Sequence, residues 1–174
     1  MTIEATYLGM PIEISELDHE NLGYFKHCAQ HNYHLQNCPT CDLVRYPPTA
    51  ACPWCACLEY TWKPVEAKGV VHSYEEVTHA IQPAFKPYLP YLVLLVELDT
   101  QNGVPSEYEA LRVIGNLTDA EGNLASPELV KEVGIGTRVK MVFKDLTEGL
   151  SMPQWVIDDE AKQPETPWRY PDDY

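Results

Sequence analysis

Basic residues are scarce in this chain: twelve lysines and arginines stand against 26 aspartates and glutamates, a formal net charge of −14 over 174 residues. No basic run occurs, so a surface that gathers nucleic-acid phosphates is not expected. Long apolar runs are missing too. The longest, Tyr91 to Val96, falls far short of the roughly 20 residues that cross a bilayer, and no membrane segment is expected. Met1-Thr2-Ile3-Glu4-Ala5-Thr6 has neither the basic nor the apolar stretch of a secretory signal, which points to the cytoplasm, where thiols stay reduced. In that compartment the glycosylation triplet Asn116-Leu117-Thr118 is a chance match. There is no Gly-x-Ser-x-Gly, no phosphate loop, no dinucleotide fingerprint and no internal repeat.

Cysteine is what the chain does have. Cys38-Pro39-Thr40-Cys41 and Cys52-Pro53-Trp54-Cys55 are two Cys-x-x-Cys pairs separated by ten residues, the spacing that closes a tetrahedral thiolate site around one zinc ion. Each pair fits a tight knuckle in which proline stiffens the bend and backbone N–H groups turn toward the sulfurs. Four protein thiolates leave no open position, so the expected metal is structural, and its binding energy folds a segment too short to build its own core. A disulfide framework is the competing reading of six cysteines, and the reducing compartment argues against it. Cys57 is close enough to replace Cys55, and His27, Cys28, His31 and His34 lie just upstream; the plainer reading makes the two spare cysteines small packed residues and the histidines surface groups. Asp42 and Ala56 stand where zinc knuckles prefer glycine, and alanine tolerates the left-handed backbone less well than aspartate, so a slightly distorted second knuckle is expected.

Four regions follow from the pattern along the chain. Residues 1–32 read as an extended arm followed by a helix capped by Ser15 or Asp18, with Leu22, Phe25, Cys28 and Ala29 on its apolar stripe. Residues 33–63 read as the ribbon, with strands at Tyr33–Asn37, Leu43–Tyr46 and Leu58–Lys63. Residues 64–158 supply five strands, Gly69–Thr78, Tyr91–Leu98, Tyr108–Ile114, Arg138–Lys144 and Gln154–Asp158, and a short helix capped by Ser126 precedes the fourth. That order is the one found in an oligonucleotide/oligosaccharide-binding (OB) barrel, so the fold class is mainly β: N-terminal helix, rubredoxin-like zinc ribbon, then a five-stranded OB-fold barrel. Residues 159–174 read as an acidic, aromatic tail carrying Trp168, Tyr170 and Tyr174, with a disordered terminus the default expectation. The loop His79–Pro90 contains three prolines that stiffen it around Phe85 and Tyr88; it suits either contact with a partner or closure of one barrel end by Ile81, Phe85 and Leu89.

The ribbon motifs, with Tyr46-Pro47-Pro48 between them, are followed in order by Gly69-Val70-Val71-His72-Ser73-Tyr74, Pro90-Tyr91-Leu92-Val93-Leu94-Leu95-Val96-Glu97-Leu98-Asp99 and Ile135-Gly136-Thr137-Arg138-Val139-Lys140-Met141-Val142-Phe143. From about Ser15 to Asp158 the chain resembles the family of small acyl-CoA-associated proteins that join a rubredoxin-like zinc ribbon to an OB-fold. The resemblance implies a non-catalytic partner subunit of a thiolase or a thiolase-like aldolase, a hetero-oligomer that helps shape the acyl-CoA site. It implies 3-oxoacyl-CoA thiolysis by the complex, with benzoylsuccinyl-CoA in aromatic degradation as one candidate substrate. Partner or acyl-CoA contacts are expected at Phe85, Tyr88, Trp168 and Tyr170.

The residues themselves offer no catalytic set. Cys28 and Cys57 are the spare thiols, and neither lies in a glycine-rich strand-to-helix turn of the kind that exposes a nucleophile. His72, between Val70 and Tyr74, reads as a hydrogen-bonded barrel residue, and Glu75-Glu76 and Asp158-Asp159-Glu160 as solvated acids. A stand-alone acyl-CoA module or a single-strand nucleic-acid module are the alternatives, the second opposed by the net charge.

Overall fold

Apolar residues alternate in Ile3-x-Ala5-x-Tyr7 and in Met10-x-Ile12-x-Ile14, and two strands, β1 (Ile3–Tyr7) and β2 (Met10–Ile14), pair there with that face inward. The two-residue turn is Leu8-Gly9, both at positive φ (49° and 81°), the hand that suits a tight hairpin. The extended arm expected over this stretch is therefore a hairpin. The computed structural model describes residues 2–171.

Asp18 caps α1 (His19–Cys28), its carboxylate accepting from Asn21 N at 3.1 Å. The helix buries Leu22, Tyr24 and Cys28, while Phe25 and Ala29 are half-buried at the edge of that face. A three-stranded antiparallel sheet follows, β3 (His34–Asn37) between β4 (Val44–Arg45) and β5 (Thr61–Pro64). Its strands are shorter than the sequence suggests, because the knuckles on either side take up the flanking residues.

The larger sheet runs in the order β10-β9-β6-β7-β8, all antiparallel: β6 (Lys68–Val77), β7 (Tyr91–Leu98), β8 (Arg112–Asn116), β9 (Arg138–Thr147) and β10 (Leu150–Ile157). The outer strands β8 and β10 approach each other at one parallel bridge, Leu117 with Trp155, where Thr118 N donates to Trp155 O at 2.8 Å. The sheet curls into an OB-fold barrel that no continuous ladder closes along this seam. Gly115 makes the approach feasible: a Cβ there would lie 2.8 Å from the Trp155 ring. Ser126 caps α2 (Pro127–Glu132) before β9, as the sequence predicts. Three strands differ from expectation, β9 by running on to Thr147 rather than ending at Lys144. β8 starts at Arg112 rather than Tyr108, which is 81% exposed on the loop after Gly103. β10 starts at Leu150 rather than Gln154, because it is an outer strand and the missing N–H of Pro153 interrupts no ladder there.

One apolar cluster joins the parts. Tyr24, Cys28, Tyr33, Leu35 and Val44 continue into Val71, Leu92, Leu94, Val96, Leu98, Val113, Leu117, Val130, Val139 and Trp155. The strict alternation of β7 sends Leu92, Leu94, Val96 and Leu98 into its centre. No helix among the described residues is long and apolar enough to cross a membrane.

Candidate metal centre and contact surface

Two matching backbone knuckles hold the four cysteines. In the first, Asp42 N donates to Cys38 O at 2.9 Å and Cys38 N to Leu43 O at 3.0 Å; in the second, Ala56 N donates to Cys52 O at 2.9 Å and Cys52 N to Cys57 O at 2.8 Å. Both residues at the glycine-favouring position take the left-handed backbone, Asp42 at φ 57° and Ala56 at φ 61°. The Asp42 carboxylate also accepts from Asn37 Nδ2 at 3.1 Å, whereas the alanine has no such bond and carries a strain of about 1 kcal/mol.

The knuckles face each other. Cys38 Sγ lies 3.5 Å from Cys55 Sγ and Cys41 Sγ 3.6 Å from Cys52 Sγ, and all four sulfurs fall within 4.8 Å of one another. A tetrahedral ion with Zn–S near 2.3 Å sets sulfurs about 3.8 Å apart, so the four thiols have the composition and spacing of a four-thiolate site. The Cys41 amide, then that of Thr40, holds Cys38 down at about 6. Cys55 receives a lowering bond from the Cys57 amide, but desolvation and the thiols of Cys38, Cys41 and Cys52 push it up to about 12. One thiolate is thus favoured by the backbone, and the last resists ionising until a cation offsets its neighbours.

The spare groups lie elsewhere. Cys28 is buried among tyrosines, and burial raises its thiol to about 12. Cys57 Sγ reaches Glu59 O at 3.8 Å, outside the four-sulfur cluster. His27 stacks on His34 at 4.1 Å, and His31 stacks on Phe143 while bonding Asp145 Oδ1 at 2.7 Å. His72 sits at a bulge of β6 with Nδ1 3.3 Å from Glu97 Oε2.

The expected contact residues form two patches rather than one. Phe85, in a 3₁₀ turn (Pro83–Tyr88), packs against Tyr91 at 5.2 Å and Tyr7 at 6.3 Å and is half-buried. Tyr88 lines a cavity of about 210 Å³ with Tyr7, Leu8, Lys144 and Asp145. Ile81 is 90% exposed and closes nothing. Trp168 and Tyr170 border a different groove, of about 850 Å³, with Tyr74, Glu76, Thr78 and Arg169.

The tail is ordered through its described part, against the disordered default. Trp168 exchanges both backbone hydrogen bonds with Ile135, at 2.9 and 3.0 Å. Arg169 donates to the carbonyls of Val130 and Val133 at the end of α2, pairs with Glu76 and lies over the Tyr74 ring at 5.1 Å. Tyr174 lies outside the described residues. Two acids read as solvated are engaged: Glu76 with Arg169, and Asp158, which is 2% exposed with Lys140 Nζ at 3.5 Å and Lys68 Nζ at 3.7 Å. No local signal marks Arg169 or Asp158 in the sequence, since their partners lie far along the chain.

Residues 62–144 match the family model of the C-terminal OB-fold domain of ChsH2. A protein of Thermomonospora curvata named probable enoyl-CoA hydratase alpha subunit is 37% identical over 84 residues, which are 47% of this chain and 25% of that protein. The chain thus spans a quarter of that relative's length. A chain of a solved structure, the Ltp2-ChsH2(DUF35) aldolase, superposes with a TM-score of 0.62 at 26% identity, covering 83% of this chain and 98% of that one. Residues 62–144 therefore carry an OB-fold domain similar to the C-terminal domain of ChsH2.

Proposed function

We propose that this chain is a non-catalytic subunit of an enzyme complex acting on acyl-CoA, held against a thiolase-like partner. One observation carries the reading: its fold matches, along 98% of the other chain's length, a chain of the Ltp2-ChsH2 aldolase. The aldolase in that name favours a thiolase-like aldolase partner over a thiolase proper; the enoyl-CoA in the name of the Thermomonospora relative supports the acyl-CoA chemistry. Benzoylsuccinyl-CoA stays a narrower candidate substrate, resting on sequence resemblance alone.

Within that complex, residues 33–63 form a ribbon closed by zinc on Cys38, Cys41, Cys52 and Cys55, and residues 64–158 form the barrel. Zinc supplies cross-linking there, not catalysis, because four thiolates fill its shell. Trp168 and Tyr170 beside their groove, and Tyr88 with Phe85 behind it, present aromatic surface to the partner or to the acyl-CoA. An acidic chain of net charge −14 repels the phosphates of coenzyme A and leaves them to basic residues of the partner.

The test is to purify the tagged chain gently from its native host, identify co-eluting chains by mass, and assay the eluate for aldol cleavage of 3-hydroxyacyl-CoA and for CoA-dependent cleavage of 3-oxoacyl-CoA. A stoichiometric thiolase-like chain with either activity is expected, and the active substrate separates aldolase from thiolase. A bare monomer that binds acyl-CoA or single-stranded nucleic acid alone would contradict the subunit reading.

A further inference from the structure

Trp54 and Val104, 44% and 45% exposed, line one recess between ribbon and barrel. Trp54 stands at the tip of the second knuckle, where Pro53, Cys55 and Ala56 are exposed as well. Val104 belongs to the loop of residues 99–111 between β7 and β8, which also carries the exposed Tyr108. That loop is pinned from within: Gly103 N donates to Glu109 O at 2.8 Å, and Glu109 N to Ser106 O at 3.0 Å. Arg112, which lines the same recess, donates from Nη2 to Tyr108 O at 3.4 Å. Gln101 ties the loop to the ribbon, accepting from Val44 N at 2.7 Å and donating to Val44 O at 2.9 Å. Knuckle and loop thus form one held surface, and covering its aromatic rings costs little ordering entropy.

The charge on this face has one sign. No lysine or arginine occurs between Arg45 and Lys63, or between Lys86 and Arg112. Arg112 is offset by Glu97 Oε2, 3.1 Å from its Nε, and Asp99 is paired with Arg138. Glu59, Glu107 and Glu109 are left over, and no ion pair among the described residues includes them. Exposed Trp and Tyr inside an acidic rim are complementary to an apolar pocket edged with lysine or arginine. A second copy of this chain, itself at −14, would set acid against acid. On the subunit reading above, the enzyme chain supplies the basic residues for the coenzyme A phosphates, so it is the chain with positive surface to meet this rim.

We propose that the knuckle tip and the 99–111 loop are the docking face for a basic surface of the thiolase-like enzyme chain, with Trp54 and Tyr108 as its two anchors. The inference rests on the subunit reading and adds the face by which the subunit is held.

The test separates the enzyme chain that co-elutes with the tagged wild-type chain, identifies it by mass as thiolase-like, and measures its rebinding to full-length, metal-loaded variants by surface plasmon resonance. Tyr108→Ala, on an exposed loop, is expected to keep fold and zinc and to weaken rebinding about ten-fold. Trp54→Ala is expected to do the same, with zinc counted to show the knuckle intact. Glu107→Lys combined with Glu109→Lys is expected to slow association and flatten its fall with added salt. Ile81→Ala, equally exposed but in the loop at the opposite end of β7, is expected to change nothing. Undiminished rebinding of both folded alanine variants would overturn the face and leave the subunit reading intact. A wild-type chain that elutes with no enzyme chain would overturn that reading and the face with it.

Discussion

Ribbon and barrel reach order by different physics. Among its buried residues the ribbon offers Tyr33 and two aliphatic side chains, Leu35 and Val44, beside Gln36, Arg45 and two cysteines. The barrel buries Val71, Leu92, Leu94, Val96, Leu98, Val113, Leu117, Val139, Leu150 and Trp155. Each such side chain contributes roughly 1.5–3 kcal/mol, so the barrel supplies most of the shared apolar cluster and the ribbon adds few side chains to it. On the reading proposed above, a metal at the four cysteines orders residues 33–63, whereas residues 64–158 rest on apolar packing.

The comparison breaks most sharply at the cysteines. Cys38→Ser should unravel the ribbon, with loss of bound zinc and a lower yield of complex, while circular dichroism of the barrel persists; structural zinc in small domains is worth about 10–16 kcal/mol. Trp155→Ala is the opposite cut. It should cost about 3–5 kcal/mol in urea denaturation, because the ring is wholly buried against Gly115, and the folded fraction should still bind zinc. Gln101→Ala removes the two side-chain hydrogen bonds to Val44 of β4 and should cost about 1–2 kcal/mol, read as faster amide exchange at Val44 with β7 unaffected.

Two smaller changes sharpen the picture. Ala56→Gly should relieve the left-handed strain of the second knuckle and stabilise the ribbon by about 1 kcal/mol, seen as slower zinc release to a chelator. Asp99→Asn probes the barrel rim, where hydrogen bonds from Arg138 hold the Asp99 carboxyl below its ordinary value of 3.8. A depressed folded value means a contribution present above the unfolded value and lost as pH falls through the folded one. The variant should therefore melt slightly below wild type at neutral pH, and the difference should vanish under strongly acidic conditions.

Where a signal is local, the sequence carried it. The Asp18 and Ser126 caps, the bounds of β7 and the left-handed positions of Asp42 and Ala56 depend on neighbours within a few residues. The four cysteines were legible because ligand spacing is itself local. The N-terminal hairpin was missed although its alternation was present, because Leu8 is a poor advertisement for a turn. Arg45, Asp158 and Arg169 were unreadable for another reason: each is placed by tertiary partners, and an isolated charge in a sequence looks solvated until the fold buries it.

The contrast between the two regions is tested most directly by amide exchange, read by mass spectrometry, on the zinc-loaded chain before and after a strong chelator, with zinc counted in both samples. The account predicts one zinc per chain at the start and, after its removal, loss of protection over residues 34–64 while residues 91–98 stay protected. A chain purified without metal whose ribbon is as protected as its barrel would contradict it.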